Sequence, residues 1–174
     1  MTEPATAAQL PEPSEPGRYS VAFVCSGNIC RSPSAEVVLR SMLAERGLED
    51  RVEVASSGLG DWHVGDPMDP RSAEHLRSAG YDPDRHRAQQ VQPDWLDDYD
   101  LLLAMDRGHV AGLAELGEGP VMLFRDFDPV GTGEDTPDPY YGGDSGFSEV
   151  LQMVERTCHH LATELERVLT RPGS

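Results

Sequence analysis

Cys25 and Arg31, six positions apart, are the residues of this chain best suited to covalent chemistry. They stand in the segment VCSGNICRSP (residues 24–33), between an apolar run and a segment with helical spacing. A thiolate is a strong nucleophile, and a guanidinium can donate two parallel hydrogen bonds to a tetrahedral oxyanion. The pair therefore predicts attack on a phosphate ester, with the arginine holding the phosphoryl oxygens.

The residues around this pair are expected to form a loop that binds an anion. A loop that leads into a helix N-terminus carries unpaired backbone N–H groups at the positive end of the helix dipole. Gly27 can adopt a positive φ and Asn28 tolerates one, so the N–H groups can point toward one centre. The predicted phosphate-binding residues are Ser26, Gly27, Asn28, Ile29, Cys30, Arg31 and Ser32. The same surroundings favour the thiolate form of Cys25, and Ser32 can donate a hydrogen bond to its sulfur.

This loop needs a buried strand before it and a helix after it. Residues 19–24 have the apolar pattern of a strand, and residues 33–46 repeat apolar groups at helical spacing before Gly47. Further segments are predicted as strands (52–55, 101–104 and 121–124) and as helices (69–79, 106–116 and 145–169). Strands that alternate with helices predict an α/β fold. We expect a single domain with a four-stranded, mostly parallel sheet, helices on both faces, and the phosphate-binding loop between the first strand and the first helix.

The composition indicates a short tail followed by one domain. Residues 1–17 are rich in Pro, Glu and Ala and are predicted to be a disordered tail, so the domain is expected to span residues 18–171. The net charge of −17, with no lysine, disfavours nucleic acid and anionic membranes as partners. The three cysteines fit a reducing compartment, and no apolar run is long enough to span a membrane. We therefore expect a cytoplasmic location.

Two further segments can contribute to the site. Trp62 lies in a stretch rich in Gly, Asp and Pro, where its flat ring either forms a binding wall for an aromatic ring of a ligand or covers an edge of the core. Tyr140 can supply the opposite wall. The connection 125–144 is long, and loops of that length are usually functional or disordered. It offers a general acid, but composition does not choose among its carboxylates: Asp126, Asp128, Glu134, Asp135, Asp138 and Asp144.

Three blocks together resemble the low-molecular-weight protein tyrosine phosphatases. They are VCSGNICRSPSAE (24–36), DWHVGDPMDPR (61–71) and TPDPYYGGDSGF (136–147), in the order of the family, and the likeness spans about residues 19–169. The resemblance implies hydrolysis of phosphotyrosine through a cysteinyl-phosphate on Cys25. It implies that Asp138 is the general acid that protonates the leaving phenolate and later activates water. No cofactor is implied. No metal is expected either, because the consecutive residues Cys158, His159 and His160 point in different directions on a helix.

The resemblance also implies supporting roles. Asn28 is expected to hold the unusual backbone of the loop by side-chain hydrogen bonds. His86 aligns with a family histidine that supports this asparagine, although it can equally be a surface histidine among charges. Cys30 is similar to a neighbouring cysteine that protects the nucleophile through a reversible disulfide with Cys25. The alternative for Cys30 is a small buried residue without a redox role.

Three other functions are compatible with parts of this pattern. Arsenate reduction on the same fold needs further cysteines to relay a disulfide, and only Cys158 is left over. Phosphoarginine hydrolysis is found in a close branch whose members tend to carry Thr where Ile29 stands and lack paired tyrosines. A catalytically dead module would bind phosphotyrosine, although the Cys, Arg and Asp are all retained. We expect the partner to be a phosphotyrosine-containing protein or peptide, with a bacterial tyrosine kinase as one candidate.

Overall fold

The computed structural model describes residues 9–139 and 143–170 of the chain. These residues form four strands, β1 (Tyr19–Cys25), β2 (Val52–Gly58), β3 (Leu101–Ala104) and β4 (Val121–Leu123). The α-helices are α1 (Arg31–Glu45), α2 (Pro70–Ser78), α3 (Trp95–Asp98), α4 (Arg107–Leu116) and α5 (Gly143–Thr170). A short 3-10 helix (Phe124–Phe127) follows β4 directly.

The sheet is parallel throughout, with the strand order β2-β1-β3-β4. The chain leaves β1 toward one side of the sheet and later returns to the other side, so β1 lies between β2 and β3. In open α/β sheets, ligands bind outside the carboxyl ends of the strands at such a reversal. The segment between Cys25 and Arg31 lies at this position. The predicted α/β fold, with a parallel sheet and a loop between the first strand and the first helix, is confirmed.

Helices cover both faces of the sheet, as the sequence predicted. Successive residues of a strand point to opposite faces. Val21 and Phe23 belong to a core that includes residues of α1, α2 and α5, whereas Ala22 and Val24 belong to a second core with residues of α3 and α4. All four side chains have no exposed surface. A strand that is buried on both sides is typical of a parallel sheet, and it fixes the position of the loop that follows.

Strand β2 and helix α3 differ from the prediction, and Phe124, predicted as the end of the fourth strand, instead begins the 3-10 helix. Strand β2 continues to Gly58 rather than ending at Ala55, because Ser56 and Ser57 keep the pairing with β1 while interrupting the apolar pattern. Helix α3 was not predicted, since a helix of four residues has too few positions to show periodicity. It places Trp95 against Tyr99, with ring centroids 4.9 Å apart.

The N-terminal segment packs onto the sheet before the predicted boundary at residue 18. Leu10 is buried in the larger core, the hydroxyl of Tyr19 donates to the carbonyl of Pro11 (3.0 Å), and the N–H of Ser14 donates to Asp100 (2.8 Å). Residues 1–8 of the predicted tail lie outside the described residues. Composition suggested one uniform tail because it does not register a single leucine that reaches the core. In the described part of the chain, no helix is both long enough and apolar enough to cross a membrane.

Candidate active site

The residues from Cys25 to Ser32, which we call the phosphate loop, lie at the floor of a cavity of about 390 Å³. The cavity brings together most of the residues that the sequence singled out. Its lining consists of Cys25, Ser26, Gly27, Ile29, Cys30, Arg31, Trp62, His63 and Asp138. The predicted residues Asn28, Ser32 and His86 do not line the cavity: Asn28 and Ser32 are loop residues with buried side chains, and His86 contacts the loop from outside. Tyr140, the predicted second wall, lies outside the described residues.

Asn28 holds the phosphate loop in a curled conformation. Its φ of 59° is in the left-handed region, and it is the one non-glycine residue of the described chain with a positive φ. Its buried side-chain amide donates to the hydroxyls of Ser32 (2.9 Å) and Ser56 (3.0 Å), and its side-chain oxygen accepts from the N–H of Gln89 (2.9 Å). Three hydrogen bonds at a left-handed residue show that the surrounding structure maintains the conformation.

His86 contacts the same turn from outside. Its Nε2 donates to the backbone carbonyl of Asn28 at 2.6 Å. Burial lowers the pKa of His86 from its usual value of 6.5, partly opposed by the hydrogen bond to Asn28, so the imidazole is neutral at physiological pH. The hydrogen bond is to the main chain of Asn28, the residue that the resemblance expects His86 to support.

Ser32 is positioned beside the nucleophile. Its hydroxyl oxygen lies 2.9 Å from the sulfur of Cys25, and both residues are buried. Because this oxygen already accepts from Asn28, its own proton is available to the sulfur or to the carbonyl of Ser57 at 3.3 Å. A hydroxyl at this position can donate to the sulfur when negative charge develops on it.

Cys30 is the second thiol at the cavity, and its environment differs from that of a reactive cysteine. Burial raises the pKa of Cys30 to about 12. A thiol with this pKa stays protonated at neutral pH, so Cys30 does not compete with Cys25 for the phosphate ester. All three cysteines, Cys25, Cys30 and Cys158, are free thiols.

Arg31 is fixed from the side that faces away from the cavity. Its Nη1 donates to the carboxylate of Asp106 (3.0 Å) and to the carbonyl of Thr136 (2.9 Å), and its side chain is only 5% exposed. Asp106 was not singled out by the sequence analysis. It is the N-cap of α4, immediately after β3 and Met105. These two hydrogen bonds therefore fix the orientation of the guanidinium plane at the cavity.

Asp138 is the candidate acid that the structure brings to the cavity. Its carboxylate lies 3.6 Å from Nη2 of Arg31, and its side chain is 35% exposed. Four other candidates are held elsewhere by arginines or backbone amides: Asp126, Asp128, Glu134 and Asp135. The side chain of Asp144 lies outside the described residues. Among the carboxylates whose side chains are described, the geometry thus favours Asp138.

The acid loop, residues 128–139, is attached to the domain by a buried ion cluster. Arg125 donates to the carboxylate of Asp128 (3.0 Å) and to the carbonyls of Val130 and Asp135 (both 3.1 Å). Arg156 of α5 makes two bonds of 2.7 Å to Asp128. Burial acts to raise the pKa of Asp128, but these hydrogen bonds outweigh it and hold the pKa below its usual value. The base of the loop is therefore rigid, and Asp138 is near its far end.

Trp62 and His63 form one wall of the cavity, which we call the aromatic wall. Trp62 is 71% exposed, so it does not cover the core edge, and its ring contacts Gly60, where any side chain would clash with it. The ring of His63 lies over Gly27, where a Cβ would come within 2.9 Å of it. The sequence analysis missed His63, although it stands inside the quoted block 61–71.

The chain is similar to known proteins over most of its length. The family described as low molecular weight phosphotyrosine protein phosphatase matches residues 20–171. A low molecular weight protein-tyrosine-phosphatase of Streptomyces coelicolor is 46% identical over 144 residues, covering 79% of this chain and 87% of that protein. Low molecular weight protein-tyrosine phosphatase A of Mycobacterium tuberculosis is 46% identical over 157 residues, covering 88% and 95%.

A solved structure agrees with the sequence comparisons. The crystal structure of YfkJ from Bacillus subtilis superimposes with a TM-score of 0.80 at 36% sequence identity. The match covers 86% of this chain and 96% of that chain. The likeness therefore extends over most of both chains.

Proposed function

Since the chain belongs to the low molecular weight phosphotyrosine protein phosphatase family, we propose that its phosphotyrosine hydrolysis proceeds through a cysteinyl-phosphate on Cys25. The protein is a tyrosine phosphatase. The observation that carries this assignment is that Cys25, Arg31 and Asp138 line one cavity at the start of α1. We propose residues 18–171 as the catalytic domain, onto which the preceding segment packs through Leu10.

In the first step the thiolate of Cys25 attacks phosphorus, and the bond from phosphorus to the phenolic oxygen breaks. The charge of the transferring phosphoryl group is stabilised by Arg31 and by the N–H groups of the phosphate loop, which are fixed before the reaction begins. Asp138, protonated at the outset, gives its proton to the leaving phenolate. The aromatic wall holds the phenyl ring, and Trp62 offers a flat surface for it.

In the second step water attacks the cysteinyl-phosphate, and the bond between sulfur and phosphorus breaks. Asp138 is now a carboxylate, and it takes the proton of the attacking water. The leaving group is the thiolate of Cys25, which accepts a hydrogen bond from Ser32 at the 2.9 Å contact. The same Ser32 contact thus serves both the attacking thiolate and the departing one.

The structure disfavours two of the alternative functions. Arsenate reduction would require Cys158 to relay a disulfide, but this residue has no exposed surface and burial raises its pKa well above the usual value. A module that only binds phosphotyrosine would not need a carboxylate beside the arginine, and here Asp138 lies 3.6 Å from Arg31.

The substrates are phosphoproteins, and we propose phosphotyrosine-containing proteins or peptides, including a bacterial tyrosine kinase, as the physiological partners. We further propose a cytoplasmic location, because a nucleophilic thiol survives best in a reducing compartment.

We also propose that Cys30 protects Cys25 during oxidation. Peroxide converts the Cys25 thiolate to a sulfenic acid, and the Cys30 thiol then condenses with it to form a disulfide and release water. Activity is measured after peroxide followed by dithiothreitol. A Cys30→Ala variant that regains as much activity as the wild type would rule the protection out.

The assignment is tested by assaying phosphate release from phosphotyrosine, phosphoserine and phosphoarginine without added metal. We expect Cys25→Ser to be inactive and Asp138→Asn to be slower on phosphotyrosine by about 10². Asp135→Asn is the matched control, because this acid-loop carboxylate pairs with Arg107 outside the cavity, and it keeps nearly full activity.

Each arm of this assay has a contrary outcome. If only phosphoarginine is hydrolysed, the proposed substrate is wrong, but the role of the phosphate loop in binding the phosphoryl group stands. Binding of phosphotyrosine without any turnover would make the protein a binding module. Equal losses in Asp138→Asn and Asp135→Asn would show that the general acid is another residue.

A further inference from the structure

His109 on α4 contacts the phosphate loop through its side chain, and the mechanism above does not use it. Its Nε2 lies 2.8 Å from the hydroxyl oxygen of Ser26, and the residue is only 4% exposed. The backbone N–H of Asp106 donates to its Nδ1 at 3.2 Å. A nitrogen that accepts a hydrogen bond carries no proton, so in the neutral ring the proton is on Nε2.

This tautomer determines the direction of the hydrogen bond to Ser26. Nε2–H of His109 donates, and the hydroxyl oxygen of Ser26 accepts. Ser26 then has its own hydroxyl proton left to donate, and the residue lines the active-site cavity. Burial lowers the pKa of His109 from 6.5, which keeps the ring neutral and this arrangement intact at physiological pH.

We propose that the side-chain hydroxyl of Ser26 donates a hydrogen bond to an oxygen of the bound phosphate ester, and that His109 is the positioning residue that directs it. The donors run in one direction, from the amide of Asp106 through His109 and Ser26 into the cavity. This proposal rests on the proposed function, and it adds a side-chain donor to the backbone N–H groups of the phosphate loop.

The chain of donors begins at a helix N-terminus, and this starting point suits an anionic ligand. The amide of Asp106 belongs to the N-cap of α4, where the helix dipole is positive, so each donor is polarised toward the anion. The carboxylate of Asp106 meanwhile pairs with Arg31 (3.0 Å) and accepts from the N–H of His109 (3.0 Å). One helix terminus thus orients two groups that face the phosphate.

Substitutions of His109 can separate the roles of its two ring nitrogens. His109→Asn places a side-chain oxygen near the position of Nδ1, so it can still accept from the N–H of Asp106 and preserve the cap of α4, but it does not reach Ser26. His109→Gln places a donor near the position of Nε2 and can restore the bond to Ser26. Ser26→Ala removes the hydroxyl, and Ser26→Thr retains it.

The test is isothermal titration of inorganic phosphate into the full-length protein, with kcat and KM for p-nitrophenyl phosphate measured alongside. We expect Ser26→Ala to weaken phosphate binding about tenfold, the usual effect of a lost hydrogen bond to a charged group. His109→Asn should weaken it about threefold without changing the unfolding midpoint. His109→Gln and Ser26→Thr should both bind nearly as well as the wild type.

The double variant Ser26→Ala/His109→Asn decides whether the two residues act as one unit. We expect it to bind phosphate as Ser26→Ala does, because His109 acts only through the hydroxyl. The proposal would be wrong if the double variant lost phosphate affinity by the product of the two single-variant losses. It would also be wrong if Ser26→Ala bound phosphate as tightly as the wild type. Phosphate binding is measured without turnover, so an inactive wild type with the expected ranking of affinities would contradict the proposed hydrolysis and still support the hydrogen-bond chain.

Discussion

The phosphate loop and the two segments that face it line one cavity, yet they are built in different ways. In the phosphate loop, Asn28 and Ser32 have no exposed surface, and hydrogen bonds connect them to each other and to β2. On the opposite side, Trp62 is 71% exposed and the side chain of Asp138 is 35% exposed. The phosphate loop, which we call the fixed region, is held by buried hydrogen bonds, whereas Trp62 and Asp138 in the facing segments, which we call the exposed region, present their side chains to solvent.

The difference follows from what each region does. Groups that stabilise the charge of a transition state are most effective when they are already oriented, because no reorganisation is then needed during the reaction. An acid that exchanges protons with water, and a wall that receives side chains of different proteins, both require access to solvent. The net charge of −17 strengthens the first requirement, since the overall field repels phosphate and only a local, fixed arrangement can bind it.

The largest effect is expected where the fixed region carries its positive charge. Arg31→Lys replaces a planar fork, anchored on Asp106 and Thr136, with a single ammonium that cannot bind the anchors and the phosphate together. We expect kcat/KM for p-nitrophenyl phosphate to fall by about 10² to 10³. Arg107→Lys, at an exposed arginine, is the control and stays near wild type. A loss below tenfold in Arg31→Lys would mean that orientation contributes little.

The second-largest effect is expected from a substitution that loosens the phosphate loop without removing a side chain that contacts the phosphate. Asn28→Ala removes three buried hydrogen bonds. It also places alanine, which disfavours the left-handed region, at a φ of 59°. We expect the free energy of unfolding in urea to fall by about 2–4 kcal/mol, and kcat/KM to fall with it. Asn28→Gly removes the same bonds but accepts the positive φ, so it should lose about 1 kcal/mol less. Equal stability of wild type and both variants would contradict the comparison.

The exposed region is expected to give the opposite pattern. Trp62→Ala should leave the unfolding midpoint unchanged and raise KM for a phosphotyrosine peptide by about 3- to 10-fold, the effect of one lost aromatic contact. Trp95→Ala is the matched substitution, because this partly buried tryptophan packs against Tyr99 away from the cavity. It should lower stability and leave KM as it is. The comparison would be wrong if the two variants behaved alike.

The smallest effect is a pH dependence of stability in the fixed region. Burial lowers the pKa values of His86 and His109 below 6.5, so at pH values just under 6.5 the unfolded chain binds more protons than the folded one. Stability is therefore complete above pH 6.5 and falls as the pH decreases below it. Between pH 7.5 and 5.5 we expect each histidine to contribute a loss of about 1 kcal/mol or less.

Urea unfolding at these two pH values tests the effect. His86→Gln should reduce the loss, whereas His159→Gln, on the exposed side of α5, should not change it. The buried carboxylates act in another range, because the lowered pKa values of Asp106 and Asp128 cause losses only as the pH falls below their usual value of 3.8. A loss between pH 7.5 and 5.5 that is the same in His86→Gln would exclude this histidine as its cause.

The sequence predicted the residues of the phosphate loop better than the distant residues that hold the loop in place. The strand, the loop and the helix start are continuous in the chain, so local patterns identify them. Of the two residues expected to allow a positive φ, Asn28 adopts one and Gly27 does not. The partners Asp106, His109 and Gln89 are 61 to 83 positions away from the loop residues they contact, and no local pattern links them. One signal was available for Asp106: an N-cap directly after a central strand must lie at the carboxyl edge of the sheet, beside the end of β1.

The exposed region shows a different limit. Six carboxylates stood between residues 125 and 144, and only the resemblance to a family selected Asp138. The reason is that long-range contacts decide which of them faces the cavity, such as the pairing of Asp128 with Arg156 on α5. Trp62 was identified as a wall or as cover for the core, and its exposure in the structure distinguishes the two.

The central claim is that Cys25 carries the phosphate during turnover, and the most direct test is to trap that species. Asp138→Asn slows the second step, because it removes the base that activates water, while p-nitrophenolate still leaves readily without an acid. The variant is mixed with p-nitrophenyl phosphate, denatured within the first turnover and analysed by peptide mass spectrometry. We expect one phosphoryl group on the peptide that contains Cys25, located on that residue and absent from Cys25→Ser/Asp138→Asn. Continued turnover with no phosphoryl group on Cys25 would contradict the account.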